Sequence, residues 1–118
     1  MKRIVVLALS ALLSIQGQAQ LLRTTVAQGE LEGVEEQGLV HFKGIPFAQP
    51  PVGDLRWKAP LPALPWQGVY KATEFKAKPY QRSQGRTSPG RPGMSEDCLY
   101  LNVLTPAKYR EAKLPVLV

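Results

Sequence analysis

The chain has 118 residues, 44% of them hydrophobic and 20% charged, with a formal charge of +6. That length holds one small domain or part of a larger one, and two Trp, four Tyr and three Phe exclude wholesale disorder. A single Cys excludes an internal disulfide framework, and a single His argues against a zinc site built by this chain alone.

Lys2 and Arg3 open the chain, and Ile4 to Ile15 then run apolar, broken only by Ser10 and Ser14. Gly17-Gln18-Ala19 follows, with small residues at the two positions a signal peptidase must fit. This is the layout of a secretory signal peptide, and the apolar stretch is too short to span a bilayer. Cleavage is expected after Ala19, so that residues 20–118 form the exported part, secreted or periplasmic. No cysteine follows the cleavage point, which argues against lipid attachment there. In an oxidising compartment the lone Cys98 must be buried, reactive or paired with another chain.

From Leu21 to Phe42 the pattern predicts short extended segments parted by glycine. Thr24-Thr25-Val26-Ala27 favours β structure, Gln28-Gly29 reads as a tight turn, and Glu30 to Glu36 continues extended. Gln37-Gly38 turns again and Leu39-Val40-His41-Phe42 reads as the next strand, which together give a small antiparallel meander. Gly44 to Pro65 is expected to lack regular structure. Pro46, Pro50, Pro51, Pro60, Pro62 and Pro65 each remove a backbone donor and fix φ. Ile45, Phe47, Val52, Leu55, Trp57 and Trp66 are interleaved with them, so the loop is expected to lie packed over a larger body. A proline-rich ligand for a peptide-binding module is seldom this apolar.

Lys71 to Arg91 carries Lys71, Lys76, Lys78, Arg82, Arg86 and Arg91 against Glu74. Gln81 to Gly93, poor in apolar residues and rich in Gly, Ser and Pro, reads as a solvated mobile loop. Nucleic-acid binding would require stacking aromatics or a groove-reading element beside this charge, and Tyr80 alone is nearby, so no nucleic-acid partner is expected. Leu99 to Leu104 predicts a strand closed by Thr105-Pro106, and Pro115-Val116-Leu117-Val118 predicts the start of a second, buried strand. A chain stopping inside a buried strand leads to the expectation of a partial sequence.

Three stretches resemble the type B carboxylesterase and cholinesterase-like family. Phe42-Lys43-Gly44-Ile45-Pro46-Phe47-Ala48-Gln49-Pro50-Pro51-Val52-Gly53-Asp54-Leu55-Arg56-Trp57 is similar to its proline-rich N-terminal block. Trp66 to Phe75 is similar to the segment that follows, and Ser95-Glu96-Asp97-Cys98-Leu99-Tyr100-Leu101-Asn102-Val103-Leu104-Thr105-Pro106 to its Glu-Asp-Cys-Leu block. The resemblance implies an α/β fold, the N-terminal part of an α/β-hydrolase, with antiparallel strands and a proline-rich loop leading into a central sheet that is cut short. It implies hydrolysis of small-molecule carboxylic esters through a Ser-His-Glu/Asp triad and a glycine-rich oxyanion hole, with no cofactor. A serine hydroxyl is a weak nucleophile until a histidine takes its proton, and the developing oxyanion requires fixed N–H donors.

Those parts are expected beyond residue 118, so no catalytic, cofactor or metal residue is assigned here. Gly93-Met94-Ser95-Glu96-Asp97 comes nearest to the nucleophile elbow Gly-x-Ser-x-Gly, yet Asp97 stands where the second glycine belongs and Ser95 precedes a strand. His41 is expected to be structural. A Cys98–His41 thiol dyad is disfavoured, since Cys98 leads into an apolar strand and suits a buried inert thiol. The resemblance also implies three structural assignments. Arg56 and Glu96 form an internal ion pair tying the proline-rich loop to the strand entry, expected to be a buried, two-bond fork. Cys98 matches a cysteine whose earlier partner aligns with Pro79, so that bridge is missing. A non-catalytic binding or adhesion protein on the same fold is the alternative function.

Overall fold

The computed structural model describes residues 22–82, 92–107 and 112–118. Among the described residues six strands run in the order β1 (Arg23–Val26), β2 (Gly29–Glu32), β3 (Val34–Glu36), β4 (Leu39–Pro46), β5 (Val69–Lys71) and β6 (Tyr100–Thr105). They form two three-stranded sheets, β1-β2-β5 and β3-β4-β6.

The expected single meander is therefore corrected to two hairpins in separate sheets. β1 and β2 pair antiparallel from Arg23–Glu32 to Val26–Gly29, which moves the turn one residue back, to Ala27-Gln28. The expected strand Glu30 to Glu36 breaks at Gly33. Its N–H is taken by the Leu22 carbonyl at 2.8 Å, and the chain leaves one sheet for the other. A Cβ at Gly33 would stand 2.6 Å from the His41 carbonyl oxygen, so the crossing needs a residue without a side chain. Gln37-Gly38 does turn as expected, with φ of 54° and 76°. Two consecutive left-handed residues match the right-handed twist of the strands they join.

β4 alternates in burial along its length, with Val40, Phe42 and Gly44 inward. It runs on to Pro46, so the first three residues of the stretch expected to be irregular belong to a strand. Between the pairs Phe42–Val103 and Ile45–Leu101 the register shifts, setting Lys43 and Gly44 against Asn102 alone. This is a β-bulge, and Gly44 adopts φ of 68°, a conformation that costs a residue with a Cβ. The proline-rich loop also contains a 3₁₀ turn at Gly53–Leu55.

β5 had no counterpart among the expected strands. It pairs in parallel with β2, and just beyond it Ala72 joins the two sheets: its N–H donates to the Glu32 carbonyl, and its own carbonyl accepts from Lys43, both at 2.7 Å. Ala72 is wholly buried and Leu31 nearly so. With Val40 and Phe42 they form a small core flanked by Leu22, Ile45, Trp66 and Tyr70. The Trp66 indole N–H donates to the Glu30 carbonyl at 2.8 Å, and its ring lies 5.1 Å from that of Tyr70.

β6 stands one residue later than the expected strand and pairs antiparallel with β4. Pro115 to Val118 is not a strand in the structure; Val116 to Val118 are exposed and enter no sheet. An apolar run forms a strand only where a neighbour supplies the ladder bonds, and none of the described strands does so. Residues 83–91, the centre of the expected mobile loop, and the expected signal segment 1–19 lie outside the described residues. The basic stretch before that loop has regular contacts: Lys71 ends β5, and Lys78 bridges to Met94.

Candidate functional site

Arg56 follows the 3₁₀ turn, its N–H donating to the Gly53 carbonyl at 3.2 Å. This anchors the guanidinium above the residues that lead into β6, where Nη2 donates to both carboxylate oxygens of Glu96. The expected pair is thus formed, but not as a buried fork. One nitrogen makes both bonds, and the side chains remain 51% and 42% exposed. The Gly53–Leu55 turn beside it buries none of its own residues.

Beside the pair lies a cavity of about 270 Å³ lined by Trp57, Pro79, Tyr80, Ser95 and Cys98 together with Arg56 and Glu96. A second, of about 170 Å³, is lined by Lys78, Pro79, Cys98, Tyr100 and Asn102 among others. Pro79 and Cys98 border both. Cys98 is a free thiol and only partly buried, which corrects the expected buried one. At the loop's base, Lys78 donates its N–H to the Gly93 carbonyl at 3.1 Å and accepts from the Ser95 N–H at 2.9 Å. These two bonds flank Met94 as one rung of a parallel ladder, closing the loop where the resemblance leaves a covalent bridge missing.

Asp97 works through tyrosines. Burial, followed by a hydrogen bond to the Asp97 carboxylate, pushes the Tyr100 hydroxyl up to about 12. Burial also raises Tyr70, with the negative charge of Asp97 adding to it. Both effects disfavour a phenolate in a partly desolvated, anionic setting.

Ser95 Oγ accepts the Asp97 N–H at 3.1 Å, a local turn bond that suits a residue shaping a loop. His41 sits in β4 opposite Val34 and Leu104, its Nδ1 3.9 Å from Glu36 Oε2. Leu104 lies far along β6 from Cys98. At about 3.3 Å per residue the two side chains are on the order of 20 Å apart, and no Cys98–His41 dyad forms. Among the described residues no three metal-binding side chains cluster. Trp57, with φ of 61°, is 97% exposed, and Phe47 is half exposed. The described residues therefore do not supply the body over which this loop was expected to pack.

Sequence reasoning passed over Gly44, Tyr70 and Asn102, which meet at the bulge. The Gly44 N–H donates to Asn102 Oδ1 at 2.8 Å, and its carbonyl accepts the Tyr70 hydroxyl at 2.9 Å. The one available signal was a glycine inside a strand pattern, which marks a bulge or a close approach.

Residues 19–118 match the carboxylesterase family, and the chain belongs to that family. It is 40% identical over 122 residues to a probable cholinesterase of Acanthamoeba polyphaga mimivirus, covering 98% of this chain and 21% of that protein. It is 42% identical over 90 residues to the fumonisin B1 esterase of Sphingopyxis macrogoltabida, covering 76% of this chain and 16% of the relative. Among solved structures it resembles a PNB esterase, with a TM-score of 0.64 and 40% identity over 70% of this chain and 17% of that one. A carboxylesterase of Geobacillus stearothermophilus gives a TM-score of 0.60 at 37% identity, over 73% and 16% of the two chains. These structural neighbours are esterases of α/β-hydrolase fold. The chain thus spans about a fifth or less of the length of the relatives it matches. Among the described residues no helix is long and apolar enough to cross a membrane.

Proposed function

We propose that residues 20–118 are the N-terminal portion of a secreted or periplasmic serine carboxylesterase. Its Ser-His-Glu/Asp triad and oxyanion glycines lie beyond residue 118, and its substrates are small-molecule carboxylic esters. The observation that carries this reading is the family match over residues 19–118 in a chain that spans 21% or less of relatives named as esterases. The exposed Trp57, Phe47 and Val116 to Val118 support it, since apolar surface of that extent calls for covering chain. The relatives' names speak for hydrolysis over the non-catalytic alternative. In this portion Arg56, Glu96 and Cys98 serve structure: the ion pair fastens the proline-rich loop, and Cys98 packs at the loop base.

The test is expression of the complete reading frame beside residues 20–118 alone, each assayed with a chromogenic acetate ester and a serine-reactive phosphonate. The complete protein should hydrolyse the ester and be labelled on a Gly-x-Ser-x-Gly serine, and residues 20–118 should do neither. Hydrolysis by the short chain, or a complete protein without such a serine, would overturn the reading. N-terminal sequencing of the exported product should begin at Gln20.

A further inference from the structure

The two sheets share the small core of Leu31, Ala72, Val40 and Phe42. The backbone passes between them at Gly33, and Ala72 contributes two backbone bonds. A further link is made by the Tyr70 side chain, and it ends on a peptide group that Asn102 holds from within its own sheet. The bulge deprives Gly44 of its ladder partner, and Asn102 of β6 accepts the orphaned N–H at 2.8 Å. Tyr70 of β5, in the opposite sheet, donates to the carbonyl of the same residue at 2.9 Å. Both bonds are partly buried, where an unmade partner costs more than a made one gains. No alternative residue fits at the pivot, because a Cβ on Gly44 would stand 2.5 Å from Lys76 Cγ and 2.7 Å from the Glu74 carbonyl oxygen.

We propose that the Tyr70–Gly44 bond is a latch that makes the two sheets open as a single unit, with Asn102 holding Gly44 in place from within its own sheet. Opening the latch frees β1-β2-β5 to fluctuate while β3-β4-β6 stays paired, a local opening below the global one. The inference does not rest on the ester-hydrolase reading.

The test is amide hydrogen exchange on the full-length protein and on Asn102→Ala, Tyr70→Phe and the double variant. Tyr70→Phe keeps the ring on Trp66, so folding is preserved while the bond is lost. Each single variant should speed exchange at Gly44 by roughly three- to tenfold, the net worth of one hydrogen bond. Tyr70→Phe should also make β2 and β5 amides exchange faster than those of β4 and β6, which share one rate in the parent, and Asn102→Ala should act on β4 and β6 around Gly44. The double variant should show both effects together. Asn102→Asp, which keeps the acceptor, should restore Gly44 protection. Independent exchange of the two sheets in the parent, or equal acceleration of both sheets in Tyr70→Phe, would each overturn the proposal.

Discussion

Pro79 and Cys98 border the same two cavities, close in sequence to the loop base that Lys78 and Met94 close. A cysteine at position 79 would therefore place a second thiol beside the first. The variant Pro79→Cys, produced under oxidising conditions, should show no titratable thiol until it is reduced and two afterwards. Closing a loop of this length is worth about 2–4 kcal/mol when native geometry is kept. The urea midpoint should accordingly rise and return to the parental value with reductant. Two free thiols in the unreduced variant would show that the residues do not approach within bridging distance.

The Arg56–Glu96 pair is the second place where a number can be tested. With both side chains about half exposed, water competes for each bond, and such pairs contribute up to about 1 kcal/mol. Arg56→Ala should lower the denaturation midpoint modestly and leave KM for an ester unchanged in the complete protein. Arg56→Lys should recover only part of the loss, since an ammonium cannot present the planar guanidinium. An unaltered midpoint with a reduced kcat would make Arg56 a participant in catalysis instead of a fastener.

What could be read before any coordinates follows from how local each feature is. The Gln37-Gly38 turn and the strand near Leu99 to Leu104 depend on neighbouring residues, and both appear where alternation and turn chemistry place them. The break at Gly33 does not announce itself, because Glu30 to Glu36 is equally compatible with extended chain on either side of it. β5 has three residues and owes its existence to β2, far earlier in the sequence. Its parallel pairing is a non-local event that no window of residues encodes. Arg56 and Glu96 were legible only through resemblance, as a 40-residue separation carries no periodicity. Asn102 and Tyr70 were illegible because their role depends on a bulge, which is a property of register between strands.

Gly44 tolerates no side chain for two separate reasons, its positive φ and the closeness of Lys76 and Glu74. Lys76 can swing its stem away, but the Glu74 carbonyl belongs to the backbone and must shift with its neighbours. Gly44→Ala should cost about 1–3 kcal/mol, read from the denaturant midpoint of the full-length protein at unchanged slope. A loss within a few tenths of a kcal/mol would mean that the bulge relaxes easily and that its left-handed residue is not required.

Glu32 supplies the pH dependence. Its carboxylate lies across the β1-β2-β5 sheet, accepting from Lys71 Nζ on one side and from Arg23 Nε at 2.8 Å on the other. The hydrogen bond from Lys71 and then that from Arg23, aided by both positive charges and opposed by partial desolvation, hold it below its ordinary value of 4.5. A carboxyl whose folded pKa is depressed binds fewer protons folded than unfolded. Its stabilising effect is therefore complete above about 4.5 and disappears as pH falls through the lower, folded value. Glu32→Gln should unfold at lower urea than the parent at pH 7. The difference should shrink steadily below about pH 4.5 and vanish once the parental carboxyl is protonated. Added salt should narrow the gap at pH 7, because the three groups meet at the surface where ions screen them. A gap that persists undiminished at the acid end would assign the loss to packing and leave the charges without a share in it.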